Sequence, residues 1–248
     1  MNLKRSCLEE MIKIMLDAGH DKHRNKSPCD TTPVYYESDF AWKFHLMLKD
    51  ELEKYGFIVD TTRASQDEVL SVDKRGQKAK GYDMFISIHS NAASGIKEGT
   101  DRPVVIFPVL ANDKVALFAE EMAVVIHNTM QTKQNGTCYS KSYSSSKPNV
   151  DYYGVIRGAV EKGCDNAFIF EHSFHTDTRA TKWLLIDSNL KKMAVNEANN
   201  IAEFLGVTRK YYIVYEQVGA FKNLKNAENL LKEKQTQNIN AFIREEER

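Results

Sequence analysis

The stretch IMLDAGHDKH, residues Ile14 to His23, decides how the chain reads. Ile14, Met15 and Leu16 are apolar in succession, without the alternation of a strand that has one wet face. Such runs suit strands covered on both sides, as in a parallel sheet. The run stops at Asp17-Ala18-Gly19, and His20 stands where the chain must turn.

Working outward, four more apolar or β-branched runs bounded by turn residues read as strands: Phe57–Thr62, Met84–His89, Pro103–Val109 and Ala167–Glu171, beside Ile12–Leu16. Helical spacing separates them. Tyr36, Phe40, Phe44, Leu48, Leu52 and Tyr55 recur every three or four residues and stop at Gly56. Val115 to Thr129 and Leu190 to Leu205 follow the same period, and a shorter helix is expected around Val69 to Lys80. Alternating strands and helices predict right-handed crossovers, hence a doubly wound α/β domain over residues 10–206 with a mostly parallel sheet and helices on both faces. Gln131 to Tyr153 is polar and serine-rich without a sustained period, so it reads as a long loop, either of the binding kind or a disordered excursion. Residues 211–246 restart as a small β-α-β unit, with Asn223 placed to cap its helix.

Bulk composition narrows the function. Of 248 residues 42% are hydrophobic, enough for one substantial core and a small appendage. Lysine plus arginine equals aspartate plus glutamate at 34 each, which argues against electrostatic capture by nucleic acid or an anionic membrane. Cys7, Cys29, Cys138 and Cys164 are scattered with no CxxC pair, against both a disulfide framework and a thiolate zinc knuckle. Glu9 and Glu10 interrupt any apolar core of a leader, and no long apolar run follows, so synthesis without a secretory signal and without a membrane span is expected.

In open α/β sheets functional groups gather beyond the carboxyl ends of the strands. Four ionisable residues belong there: His20 after the first strand, His89 at the end of the third, Glu171 in the last, and Glu37 where the first helix returns to the sheet. His20, Glu37 and His89 form a His-Glu-His set suited to catalytic zinc, which takes three such ligands and keeps a position open for water. Glu171 is then left to act as general base and, later, as proton donor to the leaving amine.

Each residue alone has an ordinary reading. A histidine at a strand end is usually a hydrogen-bonded structural residue, and Glu37 suits any helix N-terminus. Glu171 alone fits a buried acid paired with a base. His23, His45 and His127 are expected at solvated or helical surface positions, His172 and His175 within reach of the crevice, and Cys29 as an inert or second-sphere thiol.

Four segments, IMLDAGH, YYESDFAWKFHLMLKDELEKYGFIVDTTR, GYDMFISIHSNAA and YYGVIRGAVEKGCDNAFIFEHSF, together resemble in order and spacing the zinc-dependent N-acetylmuramoyl-L-alanine amidases of the type 3 amidase family. The resemblance spans about residues 10–206. It implies a sheet of about six strands and hydrolysis of the amide between the muramic acid lactyl group and L-alanine in peptidoglycan. The family's metal ligands fall on His20, Glu37 and His89, and its catalytic glutamate on Glu171. Asn91 matches an asparagine that shapes the loop after the ligand, and Arg157 a position near the stem-peptide side. His172 departs from the small or apolar residue usual after the catalytic glutamate. Tyr211 to Ile243 resembles half of a SPOR domain, a peptidoglycan-binding repeat; an unpaired edge there suggests a homodimer, against the simpler reading of a vestigial tail.

The expected protein is therefore a zinc amidase acting on peptidoglycan after release from the cytoplasm, as a phage endolysin or a mother-cell lytic enzyme does. The competing readings are a zinc peptidase or deacetylase on another cell-wall amide, and a non-catalytic wall-binding module without metal.

Overall fold

The computed structural model describes residues 11–207 and 224–236. The chain forms two compact units, Met1–Arg209 and Lys210–Arg248. In the first, the elements run β1 (Lys13–Ala18), α1 (Glu37–Glu53), β2 (Ile58–Thr61), α2 (Val72–Gln77), β3 (Met84–Asn91), β4 (Val104–Ile106), α3 (Asp113–Met130), β5 (Thr137–Tyr139), β6 (Ser142–Ser144), β7 (Lys147–Asp151), α4 (Gly154–Glu161), β8 (Ala167–Phe174), α5 (Thr178–Leu184) and α6 (Asp187–Phe204). In the second, α7 (Leu224–Thr236) is the helix expected after Asn223. The flanking strands of the half-repeat, and the pairing of two copies through them, lie outside the described residues.

Six strands form one sheet in the order β2-β1-β3-β8-β4-β5. The first four are mutually parallel, as the successive apolar runs predict. Their alternate side chains feed two cores. Ile14, Leu16, Ile86, Ile88, Phe168 and Phe170 face one side, where α1, α3 and α6 pack; Met15, Phe85 and Ile169 face the other with Val155, Ile156 and Ala159 of α4. Both faces are covered, which is why apolar residues follow one another in these strands and the polar ones gather toward their carboxyl ends. The α2 and α4 helices approach closely enough that a Cβ on Gly76 would stand 2.1 Å from the Val155 carbonyl oxygen.

The sheet is mostly parallel, as expected, with β4 running antiparallel to β8. One expectation needs correction. Gln131 to Tyr153 is not one long loop: β5 pairs with β4 as the sixth strand, and β6 with β7 makes a separate hairpin. Three-residue strands such as Thr137–Tyr139 are too short to display a period, and β5 owes its existence to its neighbour's free edge. Helices α4 and α5 were not anticipated; α5 is capped by Asp177, whose side chain accepts from the Ala180 amide.

Candidate metal centre

Strand parity selects what meets at the carboxyl edge. On β1 and β3, Asp17, Ser87 and His89 lie in phase with Met15 and Phe85, and Glu171 lies in phase with Ile169. Asp17 is the register partner of Ser87, and His89 that of Glu171. The loop after β1 delivers His20 with φ of 59°, a left-handed backbone that costs a non-glycine residue about 1–3 kcal/mol and persists where the surroundings enforce it. Enforcement is visible. The Ala18 carbonyl accepts from the guanidinium groups of Arg63 and Arg75, and the Gly19 amide donates to the Ile88 carbonyl at 2.9 Å. A Cβ on Gly19 would stand 2.5 and 2.6 Å from ring atoms of His89, so only glycine leaves the imidazole its place.

Glu37, the first residue of α1, is buried. Its Oε1 lies 3.2 Å from His20 Nε2 and 2.8 Å from His89 Nδ1, and also accepts from the Ser90 amide at 3.1 Å. The other oxygen accepts from Asn25 Nδ2 at 2.7 Å. The two imidazoles meet edge to face with ring centroids 4.9 Å apart. One ligand atom from each of His20, Glu37 and His89 falls within 4.8 Å of the others. Ligands held at ~2.0–2.2 Å around a tetrahedral zinc stand ~3.4 Å apart, so this spacing fits such an ion after small adjustments. Asn25 Nδ2 also lies 3.0 Å from His20 Nε2, so the same amide braces both His20 and Glu37.

Electrostatics agree. Burial alone would raise the pKa of Glu37, but hydrogen bonds and charge from His20 and His89 outweigh it and hold the carboxyl well below its usual range. Burial pushes the His89 imidazole down, against the pull of Glu37, so it favours the neutral, ligating form. Glu171 moves the opposite way: burial, reinforced by the negative charge of Glu37, raises it well above the usual carboxylate value. Its Oε2 is buried without a hydrogen-bond partner. The structure therefore gathers the expected four residues at one edge, with two carboxyl groups driven apart in proton affinity.

The remaining residues sort by position. Asn91 closes the turn after His89: its Oδ1 accepts from the Ala92 amide at 2.8 Å, and its carbonyl from the His175 amide at 2.8 Å. The Arg157 guanidinium is held by the Asp151 and Tyr152 carbonyls and by Asp73. His172 and His175 are buried. His172 has the parity of Phe170 and packs edge-on against Phe40 and Phe44, with Nε2 2.6 Å from Glu197 Oε1 on α6. His175 stacks on Tyr35, and its Nδ1 lies 2.9 Å from the Ser90 hydroxyl. The Cys29 thiol points at the His175 carbonyl. The expected surface position of His45 is corrected: it is buried beneath Trp42 because α1 turns that face inward beside Phe44 and Leu48. Asn25, Ser87 and Asp17 were missed as site residues. Asn25 gives no pattern in a sequence, whereas a charged residue closing an apolar strand, as Asp17 does, was a signal.

The profile of the N-acetylmuramoyl-L-alanine amidase family matches residues 14–203. Comparison with curated protein sequences finds no match. Among solved structures, the catalytic domain of CwlV, an N-acetylmuramoyl-L-alanine amidase from Bacillus (Paenibacillus) polymyxa var. colistinus, superposes with a TM-score of 0.64 at 19% identity, over 80% of this chain and 100% of that one. An N-acetylmuramoyl-L-alanine amidase from Clostridium difficile 630 gives 0.64 at 18% identity, over 79% and 97%. The catalytic domain of the CD27L endolysin targeting Clostridia difficile gives 0.53 at 15% identity, over 77% and 97%. At such identities the likeness is one of fold.

Proposed function

The chain belongs to the N-acetylmuramoyl-L-alanine amidase family, and from that premise we propose that it cleaves the amide between N-acetylmuramic acid and L-alanine in peptidoglycan with His20, Glu37 and His89 holding zinc and Glu171 moving the proton. The observation that carries this is the meeting of two imidazoles and one carboxylate of lowered proton affinity within 4.8 Å of one another, beside a second carboxyl group of raised proton affinity.

When bound, zinc supplies Lewis acidity, which polarises the scissile carbonyl and makes water nucleophilic near neutral pH. The chain's own residues do the rest. Glu171 accepts a proton from the attacking water as its oxygen bonds to the lactyl carbonyl carbon. When the carbon–nitrogen bond breaks, Glu171 returns that proton to the departing α-nitrogen of L-alanine, so one group serves as base and then acid. Asn91 fixes the turn that follows His89. Arg157 serves the stem-peptide side through the junction of β7 and α4 that it ties to α2.

No helix among the described residues is long and apolar enough to cross a membrane. In this reading the enzyme meets the wall after release, as an endolysin or a mother-cell lytic enzyme. The test is to digest purified peptidoglycan with the zinc-loaded chain. Equal amounts of new muramic acid lactyl carboxyl groups and free L-alanine amino groups are expected, together with about one zinc per chain by elemental analysis. New amino groups within the stem peptide, or released acetate, would instead identify a peptidase or a deacetylase. A chain that takes up no stoichiometric zinc and releases nothing would be a wall-binding module.

A further inference from the structure

Behind His89 runs a chain of hydrogen bonds that ends at the carboxylate closing β1. Asp17 is wholly buried. Its Oδ1 accepts from the Thr62 hydroxyl at 2.6 Å, and its Oδ2 from Arg75 Nη1 at 3.0 Å and the Ser87 hydroxyl at 2.6 Å. The Ser87 oxygen in turn lies 3.1 Å from His89 Nε2.

The direction of these bonds follows from what each group can do. An ionised carboxylate only accepts, so the single Ser87 proton points at Asp17. Having given it, Ser87 can meet His89 Nε2 only as an acceptor. Nε2 therefore carries a ring proton, so that a metal ion has only the Nδ1 proton to displace, on the side of Glu37, 2.8 Å away. Thr62 and Arg75 hold the carboxylate so that it cannot turn away. We propose that Asp17, acting through Ser87, fixes the tautomer and orientation of His89 and so sets the affinity of the metal site. Both are positioning residues that touch neither metal nor substrate. The inference rests on the reading of His20, Glu37 and His89 as zinc ligands. It also answers why an apolar strand runs into Asp-Ala-Gly-His: β1 supplies the anchoring carboxylate and a small core residue, and the turn after it the gap for the His89 ring and a ligand.

The test is zinc affinity by competition with a chromophoric chelator, with thermal melting of the chelator-stripped protein measured in parallel. Ser87→Ala leaves the Asp17–Arg75 pair intact and should weaken zinc about 10–100-fold, the usual cost of losing an outer-shell partner. Its stripped melting point should stay near wild type, and Ser87→Thr, which restores the hydroxyl, should recover the affinity. Asp17→Asn should weaken zinc at least as much, because its amide can donate to Ser87, turn the serine proton onto Nε2 and leave the proton on Nδ1. If the wild type binds one zinc and Ser87→Ala binds it equally tightly, the proposed relay is wrong. A wild type that binds none overturns the metal reading and this inference with it.

Discussion

Glu171 stands opposite His89 in the parallel register of β3 and β8, on the same side of the sheet, with one carboxyl oxygen buried and unpartnered. The proposed ligand and the proposed proton carrier are thus adjacent by strand pairing alone, without a loop to position either. Replacing Glu171 by Gln should keep the shape and the zinc but remove the base. Turnover of purified peptidoglycan is expected to fall about a hundredfold or more, with zinc content and melting temperature unchanged. Full activity in this variant would remove Glu171 from the mechanism.

His20 is the proposed ligand least committed to the core, since its side chain is 30% exposed. His20→Ala should therefore leave folding intact and lower zinc uptake directly. Ligand binding stabilises a native state by about 2.7 kcal/mol at a free concentration a hundredfold above Kd. Zinc at that excess should raise the melting temperature of the wild type and leave that of the variant unmoved. Equal zinc-dependent shifts in the two proteins would show that His20 does not bind it.

Gly19 tests the packing behind the site rather than its donors. A methyl group there meets His89 Cε1 and Nδ1 and the Ile88 carbonyl, all at 2.5 to 2.6 Å. Ile88 lies in the middle of the sheet, so the imidazole must give way. Gly19→Ala is expected to cost about 1–3 kcal/mol of stability, as overpacking does, and to lose zinc affinity out of proportion. A variant with wild-type zinc affinity would mean that the ring has room this geometry does not allow.

How much of this was legible follows from where each constraint arises. The runs at Ile14–Leu16 and Met84–Ile88 announce a doubly covered sheet because both cores draw on consecutive residues. His20, Glu37, His89 and Glu171 stand out because ionisable groups at four strand or helix ends are costly unless they meet. Strand β5 was not readable, for Thr137–Tyr139 acquires its conformation from β4. Parity could have divided Glu171 from His172, but the strand had to be extended past Glu171 before the core phase of Phe168 and Phe170 fixed the face of His172. His45 failed for the converse reason: a polar residue on a helix reads as solvated unless the apolar stripe beside it is broad enough to include it.

That buried histidine has a consequence for stability. Burial lowers the pKa of His45 to about 4, although contacts with the Trp42 and Ala41 carbonyls pull it the other way. Its Nε2 has no partner. An unfolded histidine titrates near 6.5, so between pH 6.5 and 4 the unfolded chain binds the extra proton and the folded one does not. Stability must then rise with pH across this window and fall as the solution is acidified through it. His89 and His175, also pushed down by burial, contribute slopes of the same sign. Replacing His45 by Leu removes one of these contributions and fills a comparable volume. Denaturant midpoints at pH 7.5 and pH 5 should show the wild type losing about 2 kcal/mol more than His45→Leu on acidification. Parallel losses in the two proteins would mean that His45 takes its proton in the folded state as readily as in the unfolded one.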